Sequence, residues 1–302
     1  VSASGCGDLH VHSALSDGSE SVAAILEAAA QLALDFISIT DHDTTAGSRD
    51  ALELGGALGI VAIPGVEISA YDRARGRKAH LLGYSYDLSA PAITTFCEPI
   101  LAARDELTRR QIDKLRRLGY PVSIGEVEEI AGPSAALYKQ HVMELLSRRG
   151  SADGIYGATY RSLFKGGGPC DIEIDYPDVF EALEAIHADG GLAVLAHPGQ
   201  QDSWELLEEL AEAGLDGVEL EHEDHGSEDH RRVLEAAARH PRLILAGGSD
   251  YHGSLGGMSA LGEYLAPRAS CLALSRRAPR RDPANARLDE SSPRIHEGRG
   301  LS

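Results

Sequence analysis

Six short apolar runs each stop on a group that can bind a cation or move a proton: Asp8–His12, Phe36–His42, Val61–Glu67, Leu192–His197, Gly217–His222 and Leu243–His252. His10 and His12 flank one residue, and on a strand that spacing turns both imidazoles to the same side. Asp17 follows in Ser16-Asp17-Gly18, a loop off the same strand end, and His80 lies in a later segment beside Leu81-Leu82. With His42, Glu67, His197, Asp250 and His252 these make nine candidate ligands, all imidazole or carboxylate and none sulfur. Such a set suits zinc, manganese or iron better than calcium or a thiolate-bound metal. Nine donors exceed the needs of one ion, so two or three divalent ions (Mn, Fe or Zn) in a row are expected, with carboxylates such as Glu67 bridging them. Water held by such ions loses its proton near neutral pH and becomes a nucleophile, which is hydrolysis machinery suited to phosphate esters.

The elements that must position these groups follow from the pattern around them. Runs of this length, rich in Leu and β-branched residues, suit buried parallel strands, and helical periodicity fills the gaps at Ser21–Leu34 and Ser48–Leu58. In a barrel of alternating strands and helices, all carboxyl ends of strands open on one face, so distant strand ends converge. An α/β barrel is therefore expected, its first part over 7–94 and its second over 176–266. Between them, 95–175 reads as a helical insertion, with helices over Ala102–Leu118, Ile124–Ala131, Leu137–Arg149 and near Tyr160–Phe164. The Arg-, Pro- and Ser-rich stretch 267–302 reads as a tail, disordered from about 275.

At 302 residues the chain suits one barrel-sized domain with an insertion. A net charge of −19 repels polyanions, so no long nucleic acid is expected as a partner. No apolar run approaches the ~20 residues needed to cross a bilayer, and no basic segment leads into an apolar one at the start. Cys6, Cys97, Cys170 and Cys271 are scattered without a C-x-x-C pair, which argues against a zinc ribbon or a disulfide framework. A cytoplasmic protein with no membrane contact and no protein partner is the expectation.

Beyond these readings, the residues carry a family likeness. Asp8-Leu9-His10-Val11-His12-Ser13 with Ser16-Asp17-Gly18, Thr40-Asp41-His42, Ala196-His197-Pro198 and Gly248-Ser249-Asp250-Tyr251-His252 resemble the four motifs of the polymerase-and-histidinol-phosphatase (PHP) phosphoesterases. The resemblance covers about residues 7–95 and 176–265. It implies a distorted (β/α)7 TIM-like barrel, the PHP fold, with a trinuclear centre. It assigns His10, His12, Glu67 and Asp250 to one metal, Glu67, His80 and His197 to a second, and Asp17, His42 and His252 to a third. Asp17 stands where some relatives have His, which favours manganese or iron there. Asp41 resembles an acid that orients a ligand imidazole in the family, a purely structural role being the alternative. Asp41, His42 and His197 are expected to take part in catalysis.

The insertion resembles that of a branch acting on small phosphorylated metabolites. Tyr138-Lys139-Gln140-His141 and Leu163-Phe164-Lys165 look closest to enzymes that open a cyclic phosphoribose ester and then cleave the monoester. The alternative is a nucleoside 3′,5′-bisphosphate phosphatase or RNA-end trimming exonuclease, whose Arg before the insertion His is absent here. A second phosphate calls for cationic contacts, and Arg104, Lys139, His141 and Lys165 are the candidates. His222, crowded by Glu219, Glu221, Glu223, Asp224 and His225, is expected to support the site without being a ligand. Two further readings are an amidohydrolase-like C–N hydrolase and a non-catalytic metal-binding module. Three metals and a cationic roof disfavour the first, and nine filled ligand positions disfavour the second.

Overall fold

In the computed structural model, which describes residues 7–276, the run Gly7–Val11 forms β1 and is buried at every position, as a strand covered on both faces should be. Ser21 caps α1 (Val22–Gln31) by accepting the Ala24 N–H, and Val22, Ile25, Leu26 and Ala29 turn inward. After β2 (Phe36–Ile39) and α2 (Ser48–Leu58), the two-residue β3 (Val61–Ala62) completes a parallel sheet in the order β1-β2-β3.

The run read as one strand over 61–67 is two. The break falls at Ile63-Pro64, after which the chain enters β4 (Gly65–Asp72) in a second sheet. Glu67 therefore sits near the start of a strand and not at its end. Strict strand–helix alternation also fails here, because β4 folds straight back as β5 (Arg77–Tyr84), antiparallel, with Ser69 opposite His80. Asp72 closes this turn by accepting the Ala74 and Arg75 N–H groups, and Gly76 takes the left-handed conformation at φ +67°.

Four insertion helices follow: α3 (Pro91–Arg117), α4 (Ile124–Ala131), α5 (Lys139–Arg148) and α6 (Ala158–Phe164). The start of α3 lies earlier than its periodicity predicts, with Pro91 in its first turn. Ile93 and Cys97 belong to the main core, whereas Ile112 and Leu115 pack with Val127, Val142, Leu146 and Phe164 in a separate helical core. A boundary at residue 95 thus falls inside one helix that ties the two cores together.

The chain then passes through α7 (Val179–Ala188), β6 (Leu192–Leu195), α8 (Pro198–Gln201), α9 (Trp204–Ala213), β7 (Gly217–Glu221), α10 (Ser227–Arg239) and β8 (Ile244–Gly247). β6, β7 and β8 are parallel and complete the order β4-β5-β6-β7-β8. The strands make an α/β fold of two sheets, joined by parallel bridges of Val11 with Tyr251 and His42 with Glu67 and by an antiparallel bridge of Gly7 with Ala266. The tail expected from 267 begins instead as a helix, α11 (Arg268–Leu274), because Cys271 and Leu274 recur on one face and bury against the group holding Leu9 and Phe36. The disorder expected for 277–302 concerns residues outside those described, as does Cys6.

Candidate metal centre

Glu67 is almost wholly buried, and its two carboxylate oxygens divide the site between them. Oε2 lies 3.3 Å from His10 Nε2, 3.2 Å from His12 Nε2 and 3.1 Å from His42 Nδ1. Oε1 lies 2.8 Å from His80 Nδ1 and 3.0 Å from His197 Nε2. Asp250 Oδ1 adds a second carboxylate to the first set, 3.4 Å from His10 Nε2 and 3.1 Å from His12 Nε2. On the far side of His12, Asp17 Oδ1 stands 3.3 Å from His252 Nε2, and Asp17 Oδ2 is 4.0 Å from His42 Nε2. All nine sequence candidates converge in this one cluster. His10, His12, Asp17, Glu67 and His197 form its floor, while His42, His80 and Asp250 are part-exposed at its open side.

The donor atoms fall into groups whose members could each share one ion: His10, His12, Glu67 and Asp250; His12, Asp17, His42 and His252; and His42, Glu67 and His80. His197 also groups with His222 and Asp250, and His10 with Glu219 and His222. Several of these atoms are buried and lack any hydrogen-bond partner, namely His10 Nε2, His12 Nε2, Asp17 Oδ1, His42 Nδ1 and His197 Nδ1. Buried polar atoms are normally paired, so unpaired imidazole nitrogens aimed at carboxylates fit divalent cations. The electrostatics agree. Burial disfavours the imidazolium of His12, yet Asp250 and Glu67 outweigh it and hold its pKa up at about 10. Burial likewise opposes the charge on Glu67 and Asp250, but the imidazoles around them keep both carboxyls well below the usual range. His42 goes the other way, pushed down to about 3, with burial the largest cause.

Residues outside the nine candidate ligands hold this cluster in place. Asp8 accepts the Ser249 N–H at 2.9 Å and the Ser249 hydroxyl at 2.6 Å, tying β1 to the loop that carries Asp250. The buried Glu219 contacts His10 Nδ1 at 3.1 Å and accepts the His197 N–H at 2.8 Å. From the insertion, the Gln140 amide donates to Asp17 Oδ2 at 3.0 Å and to the Tyr156 hydroxyl at 3.1 Å. His197 and Asp250 both take positive φ (25° and 53°), strain concentrated at the centre.

Asp41 directs its hydrogen bonds to the loop between β1 and α1. Its Oδ1 accepts the Ser13 N–H and the Ser16 hydroxyl, and its Oδ2 the Ser13 hydroxyl, all at 2.7 Å. With its oxygens spent on two serines, Asp41 pins the loop that delivers Asp17 and makes no hydrogen bond to an imidazole. Arg104 is also committed, donating to the buried Asp43 at 2.7 Å and to the Ser69 hydroxyl at 2.9 Å, with its guanidinium over the Tyr138 ring. It still lines a cleft with Lys78, Tyr138, Lys139, Glu173 and Tyr176. Lys139 is half-buried there, its pKa brought down to about 8 by burial and then by Lys78 and Lys165. Lys165 is exposed beyond the end of α6. His141 is buried, and its Nδ1 accepts the Tyr138 N–H at the start of α5. Among the described residues no helix is long and apolar enough to cross a membrane.

An α/β fold carrying a buried imidazole–carboxylate cluster of this size defines a metal-dependent hydrolase. Residues 8–225 match the PHP domain family, and the chain belongs to it. A phosphoribosyl 1,2-cyclic phosphate 1,2-diphosphodiesterase of Eggerthella lenta is 47% identical over 255 residues, spanning 84% of this chain and 97% of its own. A 5′-3′ exoribonuclease of Haemophilus influenzae is 30% identical, spanning 81% of this chain and 89% of its own. Among solved structures, a protein of Bifidobacterium adolescentis assigned as a metal-dependent phosphoesterase superposes with a TM-score of 0.84 at 29% identity, covering 92% of this chain and 98% of its own. The chain is thus a metal-dependent phosphoesterase of the PHP family.

Proposed function

We propose that this enzyme hydrolyses a cyclic phosphoribose ester twice, opening the diester and then releasing inorganic phosphate. The observation that carries the substrate is the 47% identity to the Eggerthella lenta diphosphodiesterase along nearly all of that enzyme. In the first hydrolysis water adds to phosphorus, and one P–O bond to the ribose breaks, the freed oxygen taking a proton. In the second, the remaining ester bond breaks in the same way.

His10, His12, Glu67 and Asp250, then His80 and His197 with Glu67, then Asp17, His42 and His252, would hold two or three divalent ions (Mn, Fe or Zn). When bound, such ions supply an acidified water as nucleophile and offset charge on the phosphate oxygens. Lys139, with Lys78 beside it, receives a second phosphate distant from the reacting one, and Arg104 holds the wall of that cleft through Asp43. Lys165 adds charge at its edge, and His141 braces the start of α5 behind Lys139 and Gln140. The two sheets together act as one distorted sevenfold barrel, a reading supported by the bridges that join them. Buried thiols at Cys97 and Cys170 suit a cytoplasmic enzyme.

Phosphorus NMR on the metal-loaded protein tests the proposal against a cyclic phosphoribose ester, a nucleoside 3′,5′-bisphosphate, histidinol phosphate and short RNA. Conversion of the cyclic ester to free phosphate at the highest kcat/KM is the expected result. A tenfold preference for the bisphosphate or RNA would replace it with the reading represented by the Haemophilus influenzae relative.

A further inference from the structure

Strand β7 and the residue that follows it supply none of the nine candidate ligands, yet Glu219 contacts His10 and His222 faces Asp250, both in the group formed by His10, His12, Glu67 and Asp250. Glu219 is fully buried between two ligand-bearing segments. A carboxylate can only accept, so its contact with His10 requires the proton on Nδ1. The lone pair of His10 is then on Nε2, the atom that faces Glu67 Oε2 and Asp250 Oδ1. The other oxygen of Glu219 accepts the His197 N–H, where the backbone is held at φ 25°. Three residues on from Glu219, just past the strand, the buried His222 accepts the Asp224 N–H at Nδ1, which leaves the proton on Nε2. That Nε2 faces Asp250 Oδ2 at 3.5 Å, on the side away from His10 and His12.

We infer that Glu219 and His222 are positioning residues of the metal centre: Glu219 fixes the tautomer and ring of His10 and the backbone of His197, and His222 holds the outer oxygen of Asp250 so that the inner one faces the cation. The inference rests on the proposed centre and extends it to two residues outside the nine candidates. A hydrogen-bonded carboxylate behind a ligand imidazole raises its basicity and fixes its direction, and losing such a partner typically costs about 10–100-fold in metal affinity.

The test is titration of the metal-free protein with Co²⁺, followed by visible absorbance, for wild type, Glu219→Gln, Glu219→Ala and His222→Phe. Glu219→Ala is expected to weaken one of the bound cobalt ions about 10–100-fold and to alter its absorption band. Glu219→Gln, whose single oxygen can accept from His10 or from His197 but not from both, falls between Ala and wild type. His222→Phe keeps an aromatic ring, removes the Nε2 donor and weakens the same ion. Should Glu219→Ala fail to fold, the near-isosteric Glu219→Gln and the ring-conserving His222→Phe still decide the matter. Wild-type affinity and spectrum in the folded variants would overturn the inference and leave the centre standing. Failure of the wild-type protein to bind cobalt would overturn the centre itself.

Discussion

Replacing Glu67 by Gln tests the centre at its hub. The substitution keeps the shape of the side chain and one acceptor oxygen, so packing around β4 changes little and the effect is mainly the loss of one negative charge. Glu67 Oε2 lies within 3.3 Å of three imidazole nitrogens and Oε1 within 3.0 Å of two more, so the charge touches every group in which a cation could sit near β4. A unit charge pair about 4 Å apart at an effective dielectric of about 20 is worth about 4 kcal/mol. At about 1.4 kcal/mol per decade, that corresponds to about a thousandfold weaker cation binding for each unit of cation charge. Metal content by inductively coupled plasma mass spectrometry should therefore fall by at least one ion per chain after dialysis, and phosphate release should drop by about a thousandfold or more. Circular dichroism should remain that of the wild type. A Glu67→Gln protein with its full metal complement and turnover within tenfold of wild type would refute the reasoning.

Two further outcomes follow from other parts of the structure. Because Lys139 loses its proton near pH 8, an anion it binds is held below that pH and released above it, so KM for a doubly phosphorylated substrate should rise as pH passes 8. Lys139→Arg should flatten that rise in a steady-state pH series, and a profile unchanged by the substitution would remove Lys139 from the binding step. Asp41→Ala strips the partner from three buried donors of the Asp17 loop, which should lower stability in urea by about 1–3 kcal/mol. Equal unfolding midpoints for Asp41→Ala and wild type would contradict the clamp.

Much of the centre was legible because strand chemistry is periodic. His10 on β1 and His12, one residue past its end, share a side by the two-residue repeat, and runs ending in His42, His197 and Asp250 lie on parallel strands or the loops just after them, so their ends gather on one face. The helices of the insertion were readable from their apolar spacing, α4 over the expected Ile124–Ala131, although α3 begins at Pro91 and not at Ala102. Less legible was the segment around Pro64. Its apolar run gave no sign that the chain changes sheets and returns as a hairpin, because a short buried run looks alike in either pairing. The order of α11 was hidden by the basic residues that follow it, which dominate the composition of the tail.

The sequence by itself determined which residues carry donors, that they are imidazoles and carboxylates without sulfur, and that an α/β scaffold presents them together. Tertiary structure alone decided who braces whom. Glu219 and His10 are 209 residues apart, Gln140 and Asp17 are 123 apart, and Arg104 finds Asp43 across the junction of two cores. Periodicity fixes the side of an element on which a residue points, but the partner it meets there depends on how distant elements pack. That is why the place of Asp41 beside His42 left both an orienting and a structural role open, and only packing shows its hydrogen bonds going to Ser13 and Ser16.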